Sequence, residues 1–142
     1  MNTSDITPIA RTRVVVLGAG YAGTMAANRL RRNPDVDVTV VNSQPFFVQR
    51  IRLHQWVSGT GDPMISFDDV LNEDVSVVVD TATRIDVARR RGELQSGAGL
   101  DYDYLIYAVG TRHRAPDIPG AAEHGFFIAD WSDAERIREH LE

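Results

Sequence analysis

Gly18-Ala19-Gly20-Tyr21-Ala22-Gly23 spells GxGxxG, a spacing that lets a backbone turn come close to an anion. Gly18 permits a tight turn, Gly20 leaves room beside the peptide for a diphosphate, and Gly23 allows a helix to pack directly on a strand. Amides of the first helical turn, those of Tyr21 and Ala22 included, have no partner within the helix and lie at the positive end of its dipole. Together they make a cradle for paired phosphates. A carboxylate is expected about twenty positions later, where it accepts hydrogen bonds from ribose hydroxyls. Here that position is Asn42. An amide accepts through its oxygen and donates through its nitrogen, so it reads a ribose more weakly and less selectively than a carboxylate. It equally suits a plain turn after a strand. Ser43 and Arg50 stand close by in sequence, either to assist at the sugar or to suit an extra phosphate.

The elements that must position this cradle are readable around it. Arg13 to Leu17 contains the β-branched Val14, Val15 and Val16 and then Leu17, a continuous apolar run that fits a strand covered on both faces of a parallel sheet. Past the glycines, Ala22, Met25, Ala26 and Leu30 recur at helical spacing while Asn28, Arg29, Arg31 and Arg32 face away, and Asn33-Pro34 ends the pattern. Val36 to Val41 is a second strand, so the opening residues predict a βαβ unit. An aromatic turn at Pro45-Phe46-Phe47 and a short helix through Ile51, Leu53, His54 and Trp56, ending at Gly59, follow. Ser66-Phe67-Asp68-Asp69 spells a capping box for one helical turn. Val75 to Val79 predicts a third buried strand. Thr81–Val87, Glu93–Ser96 and Asp103–Val109 predict shorter strands, suggesting a small antiparallel meander with turns at Arg89 to Gly92 and Gly97 to Gly99. A final helix begins near Ser132, with Glu135 completing a second capping box.

A second small-residue site ends the last of these strands. In Tyr102-Asp103-Tyr104-Leu105-Ile106-Tyr107-Ala108-Val109-Gly110 an acidic and aromatic turn feeds an apolar strand whose carboxyl end is small enough to approach a ligand held by the first loop. With the N-terminal GxGxxG, this stretch resembles the YDxLxxATG-like motif of flavoproteins with two dinucleotide-binding domains, Val109 standing in place of Thr. The chain is most similar to the type II NADH dehydrogenase group and its FAD-containing relatives, including Phe47-Val48-Gln49-Arg50-Ile51-Arg52-Leu53-His54-Gln55 after the second strand. The absence of cysteine departs from the disulfide reductase branch, whose cysteine pair would lie on this part of the chain.

The resemblance implies an α/β fold: a Rossmann-like parallel sheet with a small antiparallel β-meander, forming an incomplete FAD domain. The polar first ten residues predict a flexible segment, taken as 1–12, and the resemblance implies over 13–142 the N-terminal part of an FAD-binding domain that ends where an NAD(P)H domain is inserted. Cofactor contacts are expected at Gly18, Gly20, Tyr21, Ala22, Gly23, Asn42, Ser43, Arg50, Ala82, Ala108, Val109 and Gly110. FAD is the implied cofactor and NAD(P)H a co-substrate bound elsewhere. Activity would need a complementary chain or fragment carrying the NAD(P)H domain and the returning Gly-Asp segment of the FAD domain. The competing expectation is a stand-alone, non-catalytic module that holds an adenine dinucleotide.

Composition narrows the rest. At 142 residues, 43% hydrophobic and 25% charged, the chain has an ordinary globular balance and room for one domain. A net charge of −5 argues against a phosphate-tracking nucleic-acid surface. With no cysteine there is no thiol relay or zinc knuckle, and with no lysine there is no Schiff base. No metal-ligand spacing or serine triad is present, and the catalytic group stays unassigned. His54 is either a general acid or structural; Phe46, Phe47 and Trp56 either border a ring system or fill the core. Arg89-Arg90-Arg91 predicts a solvated turn, while Arg112, His113 and Arg114 face either a diphosphate or water. The N-terminus lacks a basic and apolar leader pattern and no apolar run reaches membrane-spanning length, so the expected location is cytoplasmic.

Overall fold

A computed structural model describes residues 11–111 and 117–142. The alternating valines explain its centre. Strand β1 (Thr12–Leu17) directs Val14 and Val16 to one face and Val15 and Leu17 to the other, and β2 (Val36–Asn42) does the same with Val38, Val40 and Val41. Val16 and Val40 are completely buried. Each such side chain contributes on the order of 1.5 kcal/mol or more by leaving water. Helix α1 (Tyr21–Leu30) covers the first face with Ala27. Leu94 and Tyr102 cover the second.

β1 and β2 belong to a four-stranded sheet completed by β5 (Ser76–Val79) and β9 (Tyr104–Tyr107), in the order β5-β2-β1-β9. Every pairing in it is parallel. The chain leaves β1 toward β2 and β5, then returns to the opposite side of β1 as β9. Loops on either side of β1 therefore diverge and leave a crevice at the carboxyl ends of the strands. β5 lies at an edge, so the expected third buried strand is covered in part: Val75 is buried, Val77 and Val78 are half-buried against the two faces of the core, and Val79 is 53% exposed.

A hairpin of β3 (Phe46–Val48) with β4 (Met64–Ser66) replaces the expected aromatic turn. Between them run a 3-10 turn (Arg50–Arg52) and helix α2 (Leu53–Val57). Helix α3 (Phe67–Val70) starts at Ser66, whose hydroxyl accepts the Asp68 amide at 3.2 Å. The antiparallel meander consists of β6 (Ala82–Asp86), β7 (Arg91–Leu94) and β8 (Gly99–Asp101). Asp103 to Val109, expected within that meander, instead supplies β9 of the parallel sheet. Its place is taken by Gly99–Asp101, a segment the turn pattern obscures.

Helix α4 (Ala121–His124) is short, and α5 (Trp131–Leu141) closes the chain. The cap of α5 is Asp130 and not Ser132: the Asp130 carboxylate accepts the Asp133 amide at 3.0 Å and the Ser132 hydroxyl at 2.7 Å. Trp131 and Ala134 pack with Leu53, Phe46, Trp56 and Met64, and Arg138 lies 4.2 Å over the Trp56 ring. This third cluster anchors α5 to α2 and the β3–β4 hairpin.

Asp103 fixes β9 beside β1. Its amide donates to the Arg13 carbonyl at 2.9 Å, and its carboxylate accepts the Arg13 amide at 2.8 Å and the guanidinium at 3.2 Å. The Arg13 side-chain bond, then the Arg13 amide, hold this carboxyl below the usual carboxylate range. A depressed folded value means the contact stabilises above the ordinary aspartate range, near about 4, and is lost as pH falls through that depressed value. Asp103→Asn is therefore expected to lower Tm at neutral pH and to flatten its decline between about pH 5 and pH 2. Thermal unfolding across that window checks this; superimposable profiles for variant and wild type would contradict it.

Candidate functional site

The turn after β1 is held by its neighbours on all sides. Gly18 has φ +94°, and a β-carbon there would lie 2.5 Å from the Ala108 carbonyl oxygen. Its amide donates to Val41 O at 2.8 Å, while Ala108 donates to Leu17 O at 2.8 Å. The next peptide is gripped from both ends: Ala19 N–H donates to Asn42 Oδ1 at 3.0 Å, and Thr24 Oγ1 donates to Ala19 O at 3.2 Å. Gly23 then brings α1 against the turn, so close that a β-carbon would sit 1.8 Å from Gly18 O.

That contact also sets which way α1 faces. Gly23, Thr24 and Ala27 are its buried residues, whereas Ala22 is exposed and Met25 is 72% exposed. The apolar spacing of Ala22, Met25, Ala26 and Leu30 therefore misplaces the inner face at the start of the helix and finds it only at the end, where Leu30 packs on the core. Close approach of backbone at Gly23 outweighs the pull of Met25 toward the core. Nor do Asn28 and Arg31 simply face water. Asn28 donates to Val70 O and accepts from Asn72 N–H, and Arg31 pairs with Asp74 at 3.0 Å.

Gly20 differs from both other glycines. It caps α1 with φ −75° and no side-chain bond, and a β-carbon placed there meets nothing within 4 Å. The first intrahelical bond runs from Thr24 N–H to Gly20 O at 2.9 Å, so the amides of Tyr21, Ala22 and Gly23 precede the ladder. No acidic residue occupies the first turn. The result is a positive helix end opening on free space, the requirement for an anion site.

Two adjoining cavities flank this point and share Asn42, Ser43 and Val109 as walls. The first, about 450 Å³, lies across the carboxyl ends of all four parallel strands and includes Gly18, Asp80, Ala82 and Gly110. The second, about 300 Å³, includes Ala19, Gly20, Arg50 and the start of α5 at Asp130 to Ser132. Gly18, Gly20, Asn42, Ser43, Arg50, Ala82, Val109 and Gly110 are thus brought together along one crevice. Tyr21 turns its ring edge-on to Phe47 at 5.2 Å. Tyr21, Ala22, Gly23 and Ala108 line neither cavity, and the Ala108 carbonyl instead abuts Gly18.

Two of these side chains are occupied by the protein itself. Asn42 uses Oδ1 on the Ala19 amide and Nδ2 on Gln44 O at 2.9 Å. Arg50 donates through Nε to Ala129 O at 2.9 Å and through Nη2 to Ala129 O and Thr111 O. It joins the loop after β9 to the segment leading into α5. Burial pushes the Asp130 carboxyl up, but the Ser132 hydroxyl, the Asp133 amide and the Arg50 charge outweigh it and hold it low.

Asp80, Thr81 and Asp130 line the crevice without having been signalled by any motif, and Ser132, read only as a helix start, lines it as well. Asp80 had one available signal, its position just past a parallel strand. His54 is exposed, outside both cavities. Phe46 and Trp56 pack on Trp131 at 5.2 and 5.1 Å, and Phe47 is buried in the core. In the arginine turn, Arg89 pairs with Asp86 and Arg91 with Asp101, consistent with a solvated turn. Arg112, His113 and Arg114 lie outside the described residues. Among the described residues, no group of His, Asp and Glu is placed to hold a metal ion, and no helix is long and apolar enough to cross a membrane.

A glycine turn after the first parallel strand, a helix end facing open space, and a crevice at the sheet's switch point define a dinucleotide-binding α/β domain. Residues 12–142 match the family model described as pyridine nucleotide-disulphide oxidoreductase, and the chain belongs to that family. It is 36% identical over 140 residues to an NADH dehydrogenase-like protein of Mycobacterium tuberculosis, covering 92% of this chain and 34% of that protein. A type II NADH:quinone oxidoreductase of Staphylococcus epidermidis is 32% identical over 143 residues, with 93% and 34% covered. Among solved structures, an NAD-dependent persulfide reductase from A. fulgidus superposes with a TM-score of 0.70 at 31% identity, covering 92% of this chain and 27% of that one. The chain therefore spans about a third of the length of the curated relatives it matches.

The three glycines predict different penalties. Gly23→Ala must displace the Gly18 carbonyl and is expected to cost about 3 kcal/mol or to prevent folding, whereas Gly20→Ala is expected to cost less than about 1 kcal/mol. Urea denaturation of both variants checks the ordering. Equal stabilities would contradict the packing described for α1.

Proposed function

We propose that this chain is the N-terminal part, residues 13–142, of an FAD-binding domain in an NAD(P)H-dependent flavin oxidoreductase. It acts with a complementary chain or segment that supplies the NAD(P)H domain and the remainder of the FAD domain. One observation carries the reading: the amides of Tyr21, Ala22 and Gly23 precede the helical ladder above a Gly20 whose side-chain direction is open space. That cradle fits a diphosphate, and the elongated crevice on either side of it suits the two ends of a dinucleotide. Family membership and the names of the relatives support the flavin and nicotinamide chemistry.

Bound FAD supplies a ring that accepts hydride from a reduced nicotinamide and passes electrons to an acceptor. This chain's residues hold and orient the other end. The first-turn amides of α1 neutralise the diphosphate without a cationic side chain. Gly18, set against the Ala108 carbonyl, lines the crevice with backbone alone and leaves room for close approach. Asn42 fixes the peptide between Gly18 and Gly20, so the amides are organised before ligand arrives, which reduces the ordering cost of binding. A cytoplasmic location accompanies this reading.

Gly20→Val is expected to fold and to lose FAD, because the branched side chain projects into the space the diphosphate needs. Flavin absorbance per polypeptide, measured on native protein that is analysed by intact mass, checks both parts. Wild type carrying flavin together with further polypeptide that bears a second glycine-rich turn, and a colourless Gly20→Val, agree with the proposal. Unchanged flavin in the variant contradicts the cradle. A colourless wild type that binds adenine dinucleotides as this polypeptide alone favours the stand-alone module.

A further inference from the structure

The carboxylate that the glycine turn calls for is missing at position 42, yet the crevice is not without one. Asp80 follows β5, the strand next to β2, and its amide donates to the Asn42 carbonyl at 2.9 Å. The two residues thus sit side by side at the carboxyl edge of the sheet, and Asp80 lines the same cavity as Gly18, Ser43 and Ala82. We propose that Asp80 is the residue that reads the sugar: its carboxylate accepts hydrogen bonds from the ribose hydroxyls at the adenosine end and repels a 2′-phosphate.

Three observations support the assignment, which rests on the dinucleotide lying in this crevice. Asn42 spends its oxygen on the Ala19 amide and its nitrogen on Gln44 O, so it is committed to the turn. Asp80 is held in place, with Oδ1 accepting Thr81 N–H at 2.6 Å and Oδ2 accepting Ser96 N–H at 3.4 Å. An ionised carboxylate has about four acceptor positions; the Thr81 and Ser96 amides together with the Ser96 side chain orient it, and it still accepts from a ribose hydroxyl on the side that faces the cavity. The Ser96 side chain, followed by the Thr81 amide, keeps the carboxyl below its ordinary range, and it is charged at neutral pH.

The meander gains a purpose from this arrangement. Ser96 lies in the turn after β7, so the β6–β7–β8 sheet supplies part of the support for Asp80 as well as cover for the core. Ala82, at the start of β6, is the small neighbour that keeps the cavity open next to it.

The test is calorimetric titration of the native protein, freed of bound nucleotide, with ADP, 2′-deoxy-ADP and ADP-ribose carrying or lacking a 2′-phosphate. Wild type is expected to prefer ADP over 2′-deoxy-ADP by about tenfold, as for a hydrogen bond to a charged acceptor, and to discriminate against the 2′-phosphate. Asp80→Asn is expected to bring the ADP ratio toward about one and to relieve the rejection of the 2′-phosphate, with 2′-deoxy-ADP bound about as before. Equal wild-type affinity for ADP and 2′-deoxy-ADP overturns the assignment without needing any variant to fold. So does an unchanged ratio in Asp80→Asn. A wild type that binds none of these nucleotides overturns the dinucleotide crevice itself, and the sugar assignment with it.

Discussion

Everything at the crevice depends on one backbone contact, the approach of Gly23 to the carbonyl of Gly18. With a β-carbon only 1.8 Å from that oxygen, no other residue fits without moving the helix. Because the approach is that close, the start of α1 lies directly over the carboxyl end of β1. Its first-turn amides, which have no partner within the helix, then lie beside the carboxyl edge of the sheet at the helix end that opens on free space. The hydrogen bond from Ala19 to Asn42 and the one from Thr24 back to Ala19 hold the intervening peptide in the same orientation. The anion site is a consequence of packing, set before any ligand is present.

The sheet provides the second half of the geometry. β9 lies parallel to β1 on the side away from β2, and Ala108 reaches back to Leu17 just beneath the glycine turn. Asp103 and Arg13 pin the other end of that pair, so the floor of the crevice is registered at both ends of β9. Arg50 ties the residues after β9 to the approach of α5, which in turn is packed on α2 by the Trp131 cluster. Loops that would otherwise be independent become one wall.

How far this was legible in the sequence follows from which atoms carry the information. The glycine turn and the βαβ unit are written in residue types that only a few conformations tolerate, and the structure places them as the sequence predicts; Asp103 to Val109 was legible as a strand but its sheet was not, because its parallel pairing with β1 is a long-range contact. The inner face of α1 was not legible because a glycine contact, which has no hydrophobic signature, overrides the apolar spacing. The β3–β4 hairpin was hidden by Pro45 and the short length of its strands, and β8 by its glycine. Asp130 as cap was masked by Ser132, two residues on. Asp80 was passed over because its significance is spatial: it neighbours Asn42 only once β5 pairs with β2.

Backbone amide NMR during titration of the native protein with FAD or ADP reads the central claim most directly. The account predicts that the largest shifts fall on the amides of Gly20, Tyr21, Ala22 and Gly23, with smaller ones along the crevice at Ser43, Asp80 and Val109. Shifts confined to another surface, such as the arginine turn at 89–91, with the α1 amides unmoved, would contradict it.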